Sequence, residues 1–114
     1  MKITTTKKDN VTIISFDGKL DSNSSSDATE EVLPLISSGI KLIMDMEKCS
    51  YLSSAGLRVL MMIGKTLSRE NGVGVLSGLN SELQDIMEMT GFGSVFKNFD
   101  NLIDATKYLE NKND

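Results

Sequence analysis

The chain begins with two short segments rich in β-branched residues. Residues 2–8 and 11–16 have this composition, and the polar pair Asp9-Asn10 lies between them. Two β-prone runs joined by a two-residue polar link are typical of a β-hairpin. Asp17-Gly18 is expected to end the second strand, because aspartate and glycine are common turn residues. The chain is therefore predicted to open with a hairpin.

Three later apolar runs predict further strands. Residues 40–46 are apolar with little alternation, as expected for a central strand that is covered on both faces. Residues 73–77 form another such run, and residues 95–98 form a short last one. Each of these runs is followed by a segment in which apolar residues recur at helical spacing.

Between the strands, apolar residues recur at helical spacing. The first helix follows the polar loop 21–26, and Pro34 is expected to interrupt it because proline lacks the backbone donor. Its end is predicted at Gly39. Three more helices are predicted from about Ala55 to Glu70, from Asn80 or Ser81, and after an N-cap at Asp100.

The resulting order of elements is β-β-α-β-α-β-α-β-α. Strands and helices that alternate after an opening hairpin predict an α/β fold with a mostly parallel, mixed sheet of four to five strands and about four helices. Neither repeats nor linkers divide the sequence, so residues 1–110 are predicted to form a single domain and residues 111–114 a polar tail.

The charge balance narrows the expected partners. The chain has 114 residues and a net charge of −4, so it lacks the basic field that gathers nucleic acid or anionic lipid. No apolar run approaches the roughly 18 residues of a membrane-spanning helix. A single cysteine fits a reducing compartment. We therefore expect a cytoplasmic protein, a monomer or weak dimer, without nucleic-acid or membrane partners.

The complete absence of histidine excludes several kinds of catalytic site. Neither a Ser-His-Asp nor a Cys-His arrangement can be built from this chain. With one cysteine and no histidine, only carboxylates are left as further ligands, so no zinc site is expected. Cys49 has only Lys48 beside it as a basic residue, so we expect a buried or half-buried thiol at a strand end that nothing nearby activates. No catalytic residues, metal or cofactor are predicted.

The stretch 42–60 carries the strongest functional signal. An apolar run ends in the pair Ser53-Ser54, and a helical pattern starts directly afterwards. At such a junction the first backbone N–H groups of the helix lack partners and carry the positive end of its dipole. A phosphate on Ser54 would be tolerated there and would change what the surface binds. Plain N-capping by a serine is the alternative, and the residues alone favour it.

Several segments spread over nearly the whole chain share a known arrangement. They are the strand 42–46, the junction 51–57 with the helix after it, the early segment 17–21, and the closing pattern Leu83, Ile86, Met87, Thr90-Gly-Phe92, Val95-Phe96 and Ala105. Together they resemble the STAS domain, and in particular the single-domain bacterial anti-sigma factor antagonists.

This resemblance implies a partner-switching module rather than an enzyme. In that family the unmodified domain binds an anti-sigma factor that is also a serine kinase, which frees a sigma factor. Phosphorylation of a serine at the start of the helix ends the interaction, and a serine phosphatase reverses it. The resemblance places that serine at Ser54. The family usually has an aspartate before this serine and a second hydroxyl residue after it, and these positions are Ser53 and Ala55 here. Ser53 is therefore a competing acceptor. The implied partner surface consists of Asp21, Ser22, Asn23, Ser53, Ser54, Ala55, Gly56 and Arg58.

Two alternatives remain. The domain could be a constitutive scaffold whose serines only cap a helix. It could also be a receiver-like domain phosphorylated on Asp45, at the end of the central strand. That reaction needs magnesium and an adjacent acidic pair, whereas Asp17 and Asp21 are separated, and an opening hairpin does not suit a receiver fold.

Overall fold

The computed structural model describes residues 1–112, which contain six strands and four α-helices. The strands are β1 (Lys2–Lys8), β2 (Val11–Leu20), β3 (Lys41–Asp45), β4 (Cys49–Leu52), β5 (Val73–Ser77) and β6 (Asn98–Phe99). The helices are α1 (Ser25–Val32), α2 (Ser54–Arg69), α3 (Ser81–Thr90) and α4 (Leu102–Glu110), with 3-10 turns at Leu33–Leu35 and Phe92–Ser94.

The strands form a single mixed sheet in the order β1-β2-β3-β5-β6. Strand β1 is antiparallel to β2, as the predicted hairpin requires, and the other neighbours are parallel. Strand β4 pairs with β2 in parallel. The α/β class, the opening hairpin and the four helices are confirmed, and the sheet has six strands instead of the four to five predicted.

Strand β2 runs past the position where the sequence predicted its end. It continues through Asp17-Gly18 to Leu20, so the predicted stop is wrong. Gly18 has a φ of 122°, and the pairing register with β4 shifts between Gly18 and Lys19. The aspartate–glycine pair thus makes an irregularity inside the strand, and glycine permits it because it has no Cβ to clash at positive φ.

The extension of β2 provides the pairing partner for β4, a strand that the sequence did not predict. Residues 11–15 of β2 pair with β3, and residues 18–20 pair with β4. Strand β4 therefore continues the line of β3 along β2 and ends at Leu52, directly before the serine pair. This arrangement fixes where α2 begins.

Helices cover both faces of the sheet. Helices α1, α2 and α3 pack on one face over a core that includes Phe16, Leu42, Leu60 and Leu83, and α4 packs on the other face over Val11, Ile43 and Val75. Within residues 1–112, no helix combines the length and the apolar character needed to span a membrane.

Element ends follow local capping chemistry. Helix α1 stops at Val32 and passes into a 3-10 turn around Pro34, which confirms the predicted interruption. The predicted end at Gly39 is wrong, because the backbone is already extended at Ile36. Of the two predicted caps for α3, Asn80 is the one observed, with its side chain accepting from the Leu83 N–H at 2.8 Å. The cap of α4 is Asn101 instead of Asp100.

The last strand is also displaced from its predicted position. It lies at Asn98–Phe99 instead of 95–98, because Val95 closes a 3-10 turn and Phe96 is buried in the core. Helix α4 ends at Glu110. Of the predicted tail, residues 113–114 lie outside the described residues, and the domain boundary at residue 110 stays a prediction.

Candidate functional site

The two serines at the start of α2 have different structural roles. Ser53 is the N-cap, with an extended backbone, and its hydroxyl accepts a hydrogen bond from the Gly56 N–H at 3.3 Å. Ser53 is half-buried, whereas Ser54 is the first residue of the helix and is exposed. The helix is therefore capped by Ser53, and the Ser54 side chain is left facing solvent.

The electrostatic setting of Ser54 favours negative charge. The first turn of α2 contains no acidic residue. The backbone N–H groups of Ser54 and Ala55 have no helical carbonyl four residues earlier to accept their hydrogen bonds. The positive end of the helix dipole lies at these two residues. A group at this position with added negative charge is stabilised by the helix behind it.

A close backbone contact joins the start of α2 to the end of β2. The Ser53 N–H donates to the Leu20 carbonyl at 3.1 Å. Gly56 lies against the same carbonyl, and a Cβ at this position would collide with the Leu20 oxygen. Gly56 is buried and offers no side chain to a partner. Its part in the predicted surface is to let the start of α2 approach the end of β2.

The loop after Leu20 carries the other predicted site residues. The Asp21 carboxylate accepts from the Asn23 N–H at 2.9 Å. The Ser24 hydroxyl donates to the Lys19 carbonyl at 2.7 Å and accepts from the Asp21 N–H at 3.1 Å. Ser22 and Asn23 are exposed, and Asp21 is half-exposed. Because Leu20 touches α2 directly, this loop and the serine pair form neighbouring parts of one surface.

A groove between α1 and α2 continues from this surface and was not predicted from the sequence. Its volume is about 520 Å³. It is lined by Ser25, Ser26, Thr29 and Glu30 of α1 and by Ala55, Arg58, Val59 and Met62 of α2. The amphipathic spacing of α1 was the available signal, but only the packing of α1 beside α2 creates the groove.

Asp45, the alternative phosphorylation site, lies on the other face of the sheet. It follows Ile43 by two residues, and Ile43 packs toward α4, so both side chains share that face. The Asp45 carboxylate accepts from the Ser15 hydroxyl at 3.2 Å and from the Glu47 N–H at 3.1 Å. Within residues 1–112, no three His, Cys, Asp or Glu side chains are grouped to hold a metal ion.

Cys49 is buried at the start of β4, as predicted. Burial raises the pKa of the Cys49 thiol, and hydrogen bonding to the backbone of Tyr51 and Leu20 opposes that rise only in part. A thiol with a raised pKa is a poor nucleophile at neutral pH.

Comparison with known proteins identifies the family. A model described as the STAS domain matches residues 2–105. BtrV of Bordetella bronchiseptica, named as an anti-sigma factor antagonist, is 31% identical over 97 residues, which cover 84% of each chain.

Solved structures agree with the fold. An anti-sigma factor antagonist from Mycobacterium paratuberculosis superposes with a TM-score of 0.87 over 96% of this chain and 94% of its own, at 19% identity. The anti-sigma factor antagonist SpoIIAA, in its unphosphorylated form, superposes with a TM-score of 0.74 over 97% of this chain and all (100%) of its own, at 14% identity. A receiver-like domain does not fit these matches. The family model and the sequence relative together show that the chain belongs to the STAS domain family of anti-sigma factor antagonists.

Proposed function

We propose that this chain is a phosphorylation-controlled binding module, not a catalyst. In its unmodified form it binds an anti-sigma factor with serine kinase activity and so releases a sigma factor. Phosphorylation at Ser54 ends this binding, and a serine phosphatase restores it. The cytoplasm is the proposed compartment, in keeping with the single cysteine.

The observation that carries this proposal is the division of roles between the two serines. The Ser53 hydroxyl is engaged by the Gly56 N–H and is half-buried, whereas Ser54 is exposed at the first helical position. Phosphorylation of Ser53 would disrupt a cap worth about 1 kcal/mol. Phosphorylation of Ser54 leaves that cap in place, which supports Ser54 over Ser53 as the acceptor.

The charge of a phosphate is large enough to control binding. It adds about −1.5 to −2 charges at neutral pH, beside a loop that already carries Asp21. A partner that approaches with an acidic or apolar group would meet repulsion or a desolvation penalty. The domain itself need not unfold, because the helix dipole accommodates the new charge.

The proposed binding surface combines the β2–α1 loop with the start of α2. It consists of Asp21, Ser22, Asn23, Ser53, Ser54, Ala55, Gly56 and Arg58, extended by the α1 side of the groove. Most of these residues are exposed or half-exposed, and Gly56 contributes by holding the two segments together.

Affinity capture from the native cells tests the switch. Immobilised wild-type protein and Ser54→Ala should retain the kinase partner, and Ser54→Asp should lose it by about tenfold or more, which corresponds to about 1.4 kcal/mol. Quantitative mass spectrometry of the captured proteins gives the ratio. If Ser54→Asp retains the same proteins as the wild type in equal amounts, Ser54 does not control binding.

A labelling experiment separates the two serines. The captured kinase, supplied with labelled ATP, should modify the wild type and Ser53→Ala but not Ser54→Ala. Label that persists on Ser54→Ala and disappears from Ser53→Ala would assign the acceptor to Ser53.

The constitutive scaffold is a second candidate, because the Ser53 cap shows that a serine at this junction has a structural use. It predicts that neither serine is ever phosphorylated. Phosphopeptide analysis of the native protein under several growth conditions distinguishes the two functions.

A further inference from the structure

We propose that Arg58 is a built-in counter-ion for a phosphate on Ser54. The guanidinium pairs with the phosphoserine along the surface of α2 and in doing so leaves the wall of the α1–α2 groove. This inference rests on the proposed function only in taking Ser54 as the modified residue.

The spacing of the two residues provides the geometry. Arg58 follows Ser54 by four residues in the same α-helix, and both are exposed. Residues at i and i+4 are neighbours on a helix surface. Helical side chains also lean toward the N-terminus, so the long Arg58 side chain reaches back over the turn that begins with Ser54.

The chemistry of the pair favours arginine. A guanidinium presents a planar fork of donors that matches two phosphate oxygens, and such charge-assisted hydrogen bonds are about twice as strong as neutral ones. The unmodified serine hydroxyl offers no charge to hold the guanidinium. The attraction therefore exists only after phosphorylation.

The surroundings of Arg58 give the pair a consequence for the surface. Arg58 lines the groove together with Glu30 of α1, the other charged residue in its lining. A phosphate carries about −1.5 to −2 charges against the single charge of Glu30, and it lies on the same helix face as Arg58. Phosphorylation therefore offers Arg58, the cationic side chain among the groove-lining residues, a more highly charged anionic partner than Glu30. The modification changes the shape and charge of the groove as well as the charge at Ser54.

Phosphoserine installed at position 54 by genetic encoding allows a direct test without any kinase. Titration by ³¹P NMR reads the second pKa of the phosphate, which is about 6 in an unperturbed phosphoserine. An ion pair favours the dianion, so this pKa should be lower in the otherwise wild-type protein than in Arg58→Gln. The expected difference is about 0.3 of a unit, a twofold change in proton affinity, and it should disappear in about 1 M salt.

Arg69→Gln is the matched control on the same helix. It removes the same charge at a point about 22 Å along the helix axis from Ser54 and should leave the phosphate pKa unchanged. Arg58→Lys should give an intermediate value, because the charge remains but the fork is lost. Equal phosphate pKa values in the wild type and Arg58→Gln would overturn the proposal.

A second signal follows the guanidinium itself. The Nε–H resonance of Arg58 should shift on installation of the phosphate, while that of Arg69 stays in place. An Arg58 resonance that does not move would also overturn the proposal. Because the phosphoserine is introduced by genetic encoding and no kinase takes part, a failure of the Arg58–phosphoserine pair does not disprove the kinase switch. A failure of the kinase switch likewise leaves the titration valid.

Discussion

Gly56 is the residue on which the geometry of the site depends most directly. Its backbone packs against the Leu20 carbonyl, which also accepts the Ser53 N–H. Any side chain at this position would push α2 away from the end of β2. The glycine in the Ser-Ala-Gly-Leu sequence is therefore explained by a close approach of two backbones, and positive φ is not involved.

We expect Gly56→Ala to destabilise the domain by about 1–3 kcal/mol, the usual cost of forcing extra volume into a packed site. Alanine is the better helix former by about 1 kcal/mol, so a net loss would show that the collision outweighs propensity. Urea denaturation followed by circular dichroism gives the difference.

Gly64→Ala, in the same helix, is the control for that substitution. Its Cβ would meet the ring of Phe96 at 3.3 Å and the Val95 side chain at 3.4 Å, and side chains can shift where a backbone carbonyl cannot. Gly64→Ala should therefore be clearly less destabilising. Equal effects of the two substitutions would contradict the role assigned to the Leu20 contact.

Among the elements, helix α2 and the strand Val73–Ser77 were predictable and strand β4 was not. The strand Val73–Ser77 was predicted at its observed bounds, and α2 was predicted within a residue at each end. Strand β4 has only four residues and a buried-exposed-exposed-buried pattern, so it shows no alternation. Its existence depends on the extension of β2 past Gly18, a tertiary arrangement that local sequence does not encode.

The site was predictable to a similar extent. The sequence placed Ser53 and Ser54 at the start of a helix, because the change of periodicity there is sharp. It could not decide which serine caps, since both suit the position and the choice depends on the hydrogen bond to Gly56. The groove beside Arg58 requires knowledge of how α1 packs on α2.

The cap assignment predicts different stability effects for the two serines. Ser53→Ala should lower the free energy of unfolding by about 1 kcal/mol, because the Gly56 N–H loses its acceptor. Ser54→Ala should change it by less than about 0.5 kcal/mol, as is usual for exposed positions. Chemical denaturation of both variants checks this. A larger loss in Ser54→Ala than in Ser53→Ala would reverse the assignment of the cap.

For the protein as a whole, Cys49 reports on the integrity of the fold. Its side chain is buried against the sheet core, and within residues 1–112 it is free of any disulfide. A thiol reagent can reach it only when the structure around β4 opens, so the rate of its modification measures that opening.

The raised pKa of Cys49 predicts a pH dependence of stability. The folded thiol holds its proton above the ordinary pKa of 9.0, because burial disfavours the thiolate. The unfolded chain loses this proton first, so stability from this group is complete below pH 9 and declines as pH rises above it. Denaturation of the wild type and Cys49→Ala at pH 8 and pH 10 should show a steeper decline in the wild type. Parallel declines would show that other groups are responsible.

The separation of the capping serine from the exposed serine also bears on how such a module can change during evolution. The fold depends on Ser53 and Gly56, whereas Ser54 can be exchanged with little structural cost. Under the proposed switch at Ser54, a single codon change at position 54 would abolish regulation and leave a well-folded, permanently active antagonist. The proposed control by a kinase could then be lost, and later regained, along a path on which every intermediate protein still folds.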